Sequence, residues 1–163
     1  MRYEDVIKDF ARRTQANLRA IERLREAGHE VYEATQLINS TLGLLVFPKE
    51  EYFDRIPETP LDELVAEGWP VPTVTGRFEQ VSDLRQLIRY LRNAIAHFNI
   101  DFPGDGTNEL RQLRVWNTPS RGSKTKTWEA VLTLEQLRAL THRFVDLLLD
   151  DNSRGTPIAG HEL

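Results

Sequence analysis

The sequence predicts a mainly α fold, a bundle of four to five helices with a β-hairpin added before the last one. Three observations carry that expectation. Apolar residues recur at three- and four-residue steps through long stretches, the period of a helix that buries one face. Leu110 to Asn117 and Lys126 to Thr133 read as two strands, joined by the turn-forming Pro119-Ser120-Arg121-Gly122-Ser123. Thr133-Leu134-Glu135-Gln136 is a capping box, with the threonine as N-cap and Gln136 at N3, and it opens a final helix.

Taken in order, Tyr3, Ile7, Phe10, Thr14, Leu18, Ile21 and Leu24 give an amphipathic first helix over about residues 3 to 26, and Gly28 is a stop just beyond it. A second helix is expected from Val31 to Phe47, with Leu37, Ile38, Thr41, Leu42, Leu44 and Leu45 as its apolar surface and Pro48 as its end. Residues 48 to 78 hold five prolines and read as irregular chain wrapping the helices. Within them Thr59-Pro60-Leu61-Asp62-Glu63 looks like an N-cap, a first-turn proline and early acids, so a short helix is expected over 60 to 67, stopped by Gly68. From Glu79 to Phe98 the stripe Leu84, Ile88, Leu91, Ile95 and Phe98 defines the clearest helix. Phe102-Pro103-Gly104-Asp105-Gly106 is turn chemistry, and Leu137, Leu140, Phe144, Leu147 and Leu148 face the core from the last helix. Residues 1–150 are expected to form one domain, followed by a flexible tail over 151–163.

Composition narrows the classes of function. With 163 residues, 40% apolar and 28% charged, the chain has the make-up of a soluble globular protein with one core. It has no cysteine, which excludes disulfides, thiolate metal sites and cysteine nucleophiles and fits a cytoplasmic setting. The charged start at Met1-Arg2-Tyr3-Glu4-Asp5 does not read as a signal peptide, and no stretch reaches the roughly 18 apolar residues of a membrane span. A net charge of −4 argues against nonspecific coating of nucleic acid but permits a local basic patch.

That patch is expected on the helix ending near Phe98. Each residue turns about 100° around the axis, so Arg85, Arg89, Arg92, Asn93, Ala96 and His97 share the surface opposite the core stripe. Asn93 and His97 are four apart and stack, while the longer Arg92 can swing toward the same spot. Histidine can take or give a proton near neutral pH. A guanidinium can grip a phosphate at two oxygens and stabilise a pentacoordinate transition state. Such a pair suits metal-free cleavage of RNA, with the 2′-hydroxyl as nucleophile. The plainer reading of the same residues is a solvated helix face whose terminal histidine favours the helix dipole.

Arg92-Asn93-Ala94-Ile95-Ala96-His97 resembles the arginine–polar–x3–histidine signature of the HEPN superfamily (higher eukaryotes and prokaryotes nucleotide-binding domains), and residues 90 to 98 are similar to bacterial and plasmid-borne members. The resemblance implies a core of four or five helices and a homodimer in which two motifs face each other. It further implies a metal-independent endoribonuclease that leaves a 2′,3′-cyclic phosphate, acting in defence or in a toxin–antitoxin pair. On that reading Arg92 and His97 are catalytic and Asn93 holds or orients the phosphate. No cofactor is called for. The possible partners are RNA, a second copy near Ala96, and an antitoxin or nucleotidyltransferase encoded separately. A different class of function stays open, a non-catalytic HEPN-like module that binds RNA, a nucleotide or a protein.

The hairpin is an addition to that core. Its cations Arg111, Arg114, Arg121, Lys124 and Lys126 stand without an acid between Leu110 and Trp128, so with Trp116 and Trp128 they could follow a phosphate backbone. Arg85, Arg89, Arg111 and Arg114 are therefore the candidate substrate-binding residues. The competing reading makes the tryptophans core and the cations a charged edge that resists strand pairing. His29, His142 and His161 show no metal-ligand spacing, the acidic pairs Asp62-Glu63 and Asp150-Asp151 lack a partner cluster, and no phosphate-binding glycine loop is present.

Overall fold

A computed structural model describes residues 2–48, 50–74, 81–103, 110–120 and 122–150. Among them the chain forms α1 (Tyr3–Glu26), α2 (Glu33–Val46), a 3-10 helix (Glu50–Arg55), α3 (Leu61–Ala66), β1 (Thr73–Val74), α4 (Leu84–Ala96), β2 (Ile100–Asp101), β3 (Gln112–Asn117), β4 (Trp128–Thr133) and α5 (Leu134–Leu149). The fold is mainly helical, with a small antiparallel sheet before the last helix.

The helices follow the apolar stripes. Ile7, Ala11, Thr14 and Leu18 of α1 are buried against α2 and α5. Leu37, Ile38, Leu44 and Leu45 of α2 meet Leu137, Leu140, Phe144 and Leu148 of α5 in one continuous core. Where α2 and α5 touch, the hydroxyls of Thr41 and Thr141 lie 2.6 Å apart. The capping box of α5 forms as expected: the Gln136 amide donates to Thr133 Oγ1 at 3.1 Å, and the Thr133 amide donates to Gln136 Oε1 at 2.9 Å. Gly28 (φ 81°) and Gly68 (φ 79°) take the left-handed conformation just after α1 and α3. The proline at the start of α3 sits one position earlier than expected, as N-cap rather than first helical residue.

The hairpin is the middle of a larger sheet. Strand order is β1-β4-β3-β2, all antiparallel, with Val115 opposite Ala130 in the central pair. Two-residue strands add on both sides: Thr73 pairs with Val131, and Ile100 with Val115. Leu113, Val115, Trp128, Ala130 and Leu132 are buried on the inner face, and α4 packs against β3 there. Segment 110–132 is thus part of the fold's packing and not an appendage.

Helix α4 is fixed at both ends. At its start the Asp83 carboxylate accepts from the Gln86 amide at 2.9 Å, and the Leu84 amide donates to the Thr59 carbonyl at 2.9 Å. An isolated bridge between Pro60 and Asp83 joins this point to the start of α3. At its far end the chain runs directly into β2, and the Trp116 amide donates to the Asn99 carbonyl at 3.1 Å.

Candidate active site

The last turn of α4 carries Arg92, Asn93 and His97, while Leu91, Ala94 and Ile95 of the same turns are buried. The apolar side therefore fixes which way the polar side faces. Arg92 and Asn93 are half-buried, and His97 is exposed. His97 is the C-cap: its amide donates to the Asn93 carbonyl at 3.1 Å, so Asn93 and His97 lie one above the other.

Arg92 Nη1 donates to Asn93 Oδ1 at 3.1 Å. Its Nε is buried without a hydrogen-bond partner, and among the described residues no carboxylate pairs with the guanidinium. The His97 ring likewise has no hydrogen bond or ion pair among the described residues. Arg92 and Asn93 thus form a polar pair one turn from the exposed imidazole at the tip of the helix. The guanidinium is drawn to Asn93 and makes no hydrogen bond to His97.

Arg85, Arg89 and Arg114, expected to bind substrate, have other engagements. Arg85 Nε donates to the Ile56 carbonyl at 2.6 Å and its Nη1 lies 2.6 Å from Glu58. Arg89 Nη2 lies 2.7 Å from Asp54. These acids come from the segment after α2, so a face without acids in local sequence acquires them from elsewhere. Arg114 pairs with Asp101 across β2 and β3, an ion pair that holds the Asp101 carboxyl below its ordinary range. Arg111 precedes β3 and is roughly 15 Å along the strand from Trp116, at the end away from His97.

The hairpin's open basic character is also reduced. Lys126 pairs with Glu129 and sits 4.8 Å from the centre of the Trp116 ring. Trp128 is fully buried and meets Tyr90 edge-on at 5.5 Å, so it is a core residue. Arg121 lies outside the described residues. His142 contacts Glu22 at 3.1 Å between α5 and α1, His29 is exposed in the turn after α1, and His161 lies outside the described residues. Among the described residues no group of three or more His, Cys, Asp or Glu is arranged to hold a metal ion.

One residue of this tip corrects the sequence reading. Phe98 was expected in the core stripe, yet it is 85% exposed. The helix ends at Ala96, so the three-and-four spacing no longer describes where the side chain points. The Phe98 amide donates to the Ile95 carbonyl at 3.0 Å and the Asn99 amide to the Ala94 carbonyl at 2.8 Å. This Schellman arrangement requires a left-handed residue between them. Phe98 takes it at φ 57°, the positive-φ residue other than glycine among those described. No glycine stands between His97 and Pro103, so the local sequence does not mark this stop.

The family model described as HEPN pEK499 p136 matches residues 1–154. The chain belongs to the HEPN family. Comparison with curated proteins and with solved structures gives no match. Within this HEPN chain, the arginine, asparagine and histidine of the signature occupy the last turn of α4 and its C-cap. No helix among the described residues is long and apolar enough to cross a membrane.

Proposed function

We propose that this HEPN protein is a metal-independent endoribonuclease. The observation that supports the reading best is the contrast along α4: Arg85 and Arg89 are paired with acids, whereas Arg92 has no carboxylate partner among the described residues and stands one turn from the exposed ring of His97. A half-buried guanidinium that no carboxylate neutralises among the described residues, one turn from an exposed imidazole, suits a phosphate.

In this mechanism the 2′-oxygen of the substrate attacks the adjacent phosphorus and the bond to the 5′-oxygen breaks. The products are a 2′,3′-cyclic phosphate and a 5′-hydroxyl. His97 accepts the proton of the 2′-hydroxyl or supplies the one the 5′-oxygen needs. Arg92 swings from Asn93 to the phosphate and stabilises the extra negative charge of the pentacoordinate state. Asn93 holds the guanidinium in readiness. A homodimer would supply a second His97, so that one ring acts as base and the other as acid. On this reading the protein acts in the cytoplasm in defence or growth control, and a separately encoded antitoxin or nucleotidyltransferase would restrain it.

The test is cleavage of varied RNAs by purified protein in EDTA, comparing wild type with His97→Ala and Arg92→Ala. Cyclic-phosphate ends, lost in both folded variants, support the enzyme. Equal inactivity of all three proteins would leave the HEPN module as a binding domain.

A further inference from the structure

We propose that Phe98 is a stacking platform for a nucleobase of the RNA, placed beside the scissile phosphate; the inference rests on the ribonuclease reading above. Its ground is that folding gives no reason for a phenyl group at this position. The backbone is left-handed at φ 57°, where glycine is favoured and a large side chain is strained. The ring is 85% exposed, so core packing does not offset that strain. Strain held without a packing return is characteristic of a site that meets a ligand.

What the ring could meet follows from its neighbours. It is one residue from His97, and the cap bonds through Ile95 and Ala94 fix the backbone that carries it. An RNA phosphate held by Arg92 and His97 brings an attached nucleoside to this same tip. Phe98 offers an open π-face there, unlike Trp128, Tyr90 and Trp116. Trp128 is fully buried, Tyr90 packs against it, and half-buried Trp116 has Lys126 over its ring. Phe102, four residues on, is less open at 38% exposed, so Phe98 at 85% is the ring that stands clear beside His97. A base can stack on one ring, and because every base has a π-face, the contact would tolerate many sequences.

The experiment measures binding of a labelled, uncleavable 2′-O-methyl oligonucleotide of mixed sequence, together with cleavage kinetics on the corresponding RNA. Wild type is compared with Phe98→Gly, Phe98→Leu and Phe98→Trp, with His97→Ala as the inactive control. Phe98→Gly relieves the backbone and should unfold at the same or higher urea concentration, so loss of structure cannot account for its behaviour. Phe98→Gly and Phe98→Leu should bind about 5- to 150-fold more weakly and raise KM by the same factor, with kcat within about twofold. Phe98→Trp should bind like wild type.

Binding by Phe98→Gly within about twofold of wild type would overturn the proposal. So would full affinity in Phe98→Leu, which keeps the grease without the π-face. A Phe98→Gly protein that falls from dimer to monomer by light scattering would assign the ring to a contact between copies, and also overturns it. If wild type neither binds nor cleaves RNA, the ribonuclease reading fails and stacking with it. If wild type cleaves and only the Phe98 variants behave as wild type, stacking alone fails.

Discussion

Arg92 donates to the side-chain oxygen of Asn93 at 3.1 Å, and the Asn93 carbonyl in turn receives the amide of His97 at the same distance. Asn93 therefore connects the two ends of the signature, one through its side chain and one through its backbone.

The role of that side chain can be separated from the role of its backbone. Arg92→Ala should lower kcat by about 100-fold or more, the usual loss when a donor to a developing oxyanion is removed. Asn93→Asp should fall nearly as far, because a carboxylate would bind and neutralise the guanidinium. Asn93→Ala should lose only about tenfold, since the arginine remains and just its resting position is lost. Single-turnover cleavage gives all three values, and wild-type kcat in Asn93→Asp would remove Arg92 from the mechanism.

The paired arginines should behave differently. Arg85→Ala breaks the bonds to Ile56 and Glu58 and should cost about 1 kcal/mol of stability, measured by urea unfolding. Neither it nor Arg89→Ala should change the salt dependence of RNA binding, because Glu58 and Asp54 already balance these charges. Loss of a true phosphate contact would reduce that slope by about one.

Asp83 links stability to acid. Burial raises its pKa, but hydrogen bonds from the Ser82 hydroxyl and the Gln86 amide, together with nearby Arg85, outweigh burial and leave the carboxyl below its ordinary value. A depressed folded pKa means the contribution is complete above the unfolded value, and it is lost as pH falls through the folded one. Asp83→Ala should thus cost about 1 kcal/mol near neutrality, as other N-cap losses do. The difference from wild type should shrink as pH falls below the unfolded value of about 3.9. A gap that stays constant from neutrality into acid in urea titrations would rule out an ionised cap.

Trp128 tests the sheet's place in the core. Trp128→Ala should destabilise by about 3–5 kcal/mol, as expected for a fully buried large ring. Trp128→Phe should cost much less, because the indole Nε1 has no hydrogen-bond partner among the described residues and its removal leaves none orphaned. Similar losses in both variants would mean that the indole nitrogen is satisfied in solution.

Long periodic elements were legible in the sequence, and short or non-local ones were not. The stripes of α1, α2, α4 and α5, the α5 capping box and the two long strands rest on local pattern, so sequence suffices for them. Strands β1 and β2 are two residues each, too short to show any period. Phe98 was misplaced because a helical wheel says nothing once the helix has stopped. The acids opposing Arg85 and Arg89 lie 27 and 35 residues away, a distance over which no spacing rule operates. Arg92, Asn93 and His97 could be read as one motif because six consecutive residues at one helix end carry them all.

The anchoring of α4 at Leu84 and at Asn99 makes its length non-negotiable. One residue inserted between those points would rotate everything after it by about 100° and advance it by about 1.5 Å. The helix would then have to give up its bond to Thr59 or the strand pairing that starts at Asn99, and an insertion between Arg92 and His97 would also turn those two apart. This helix acts as a ruler between two fixed marks, and its thirteen residues are the length that fits.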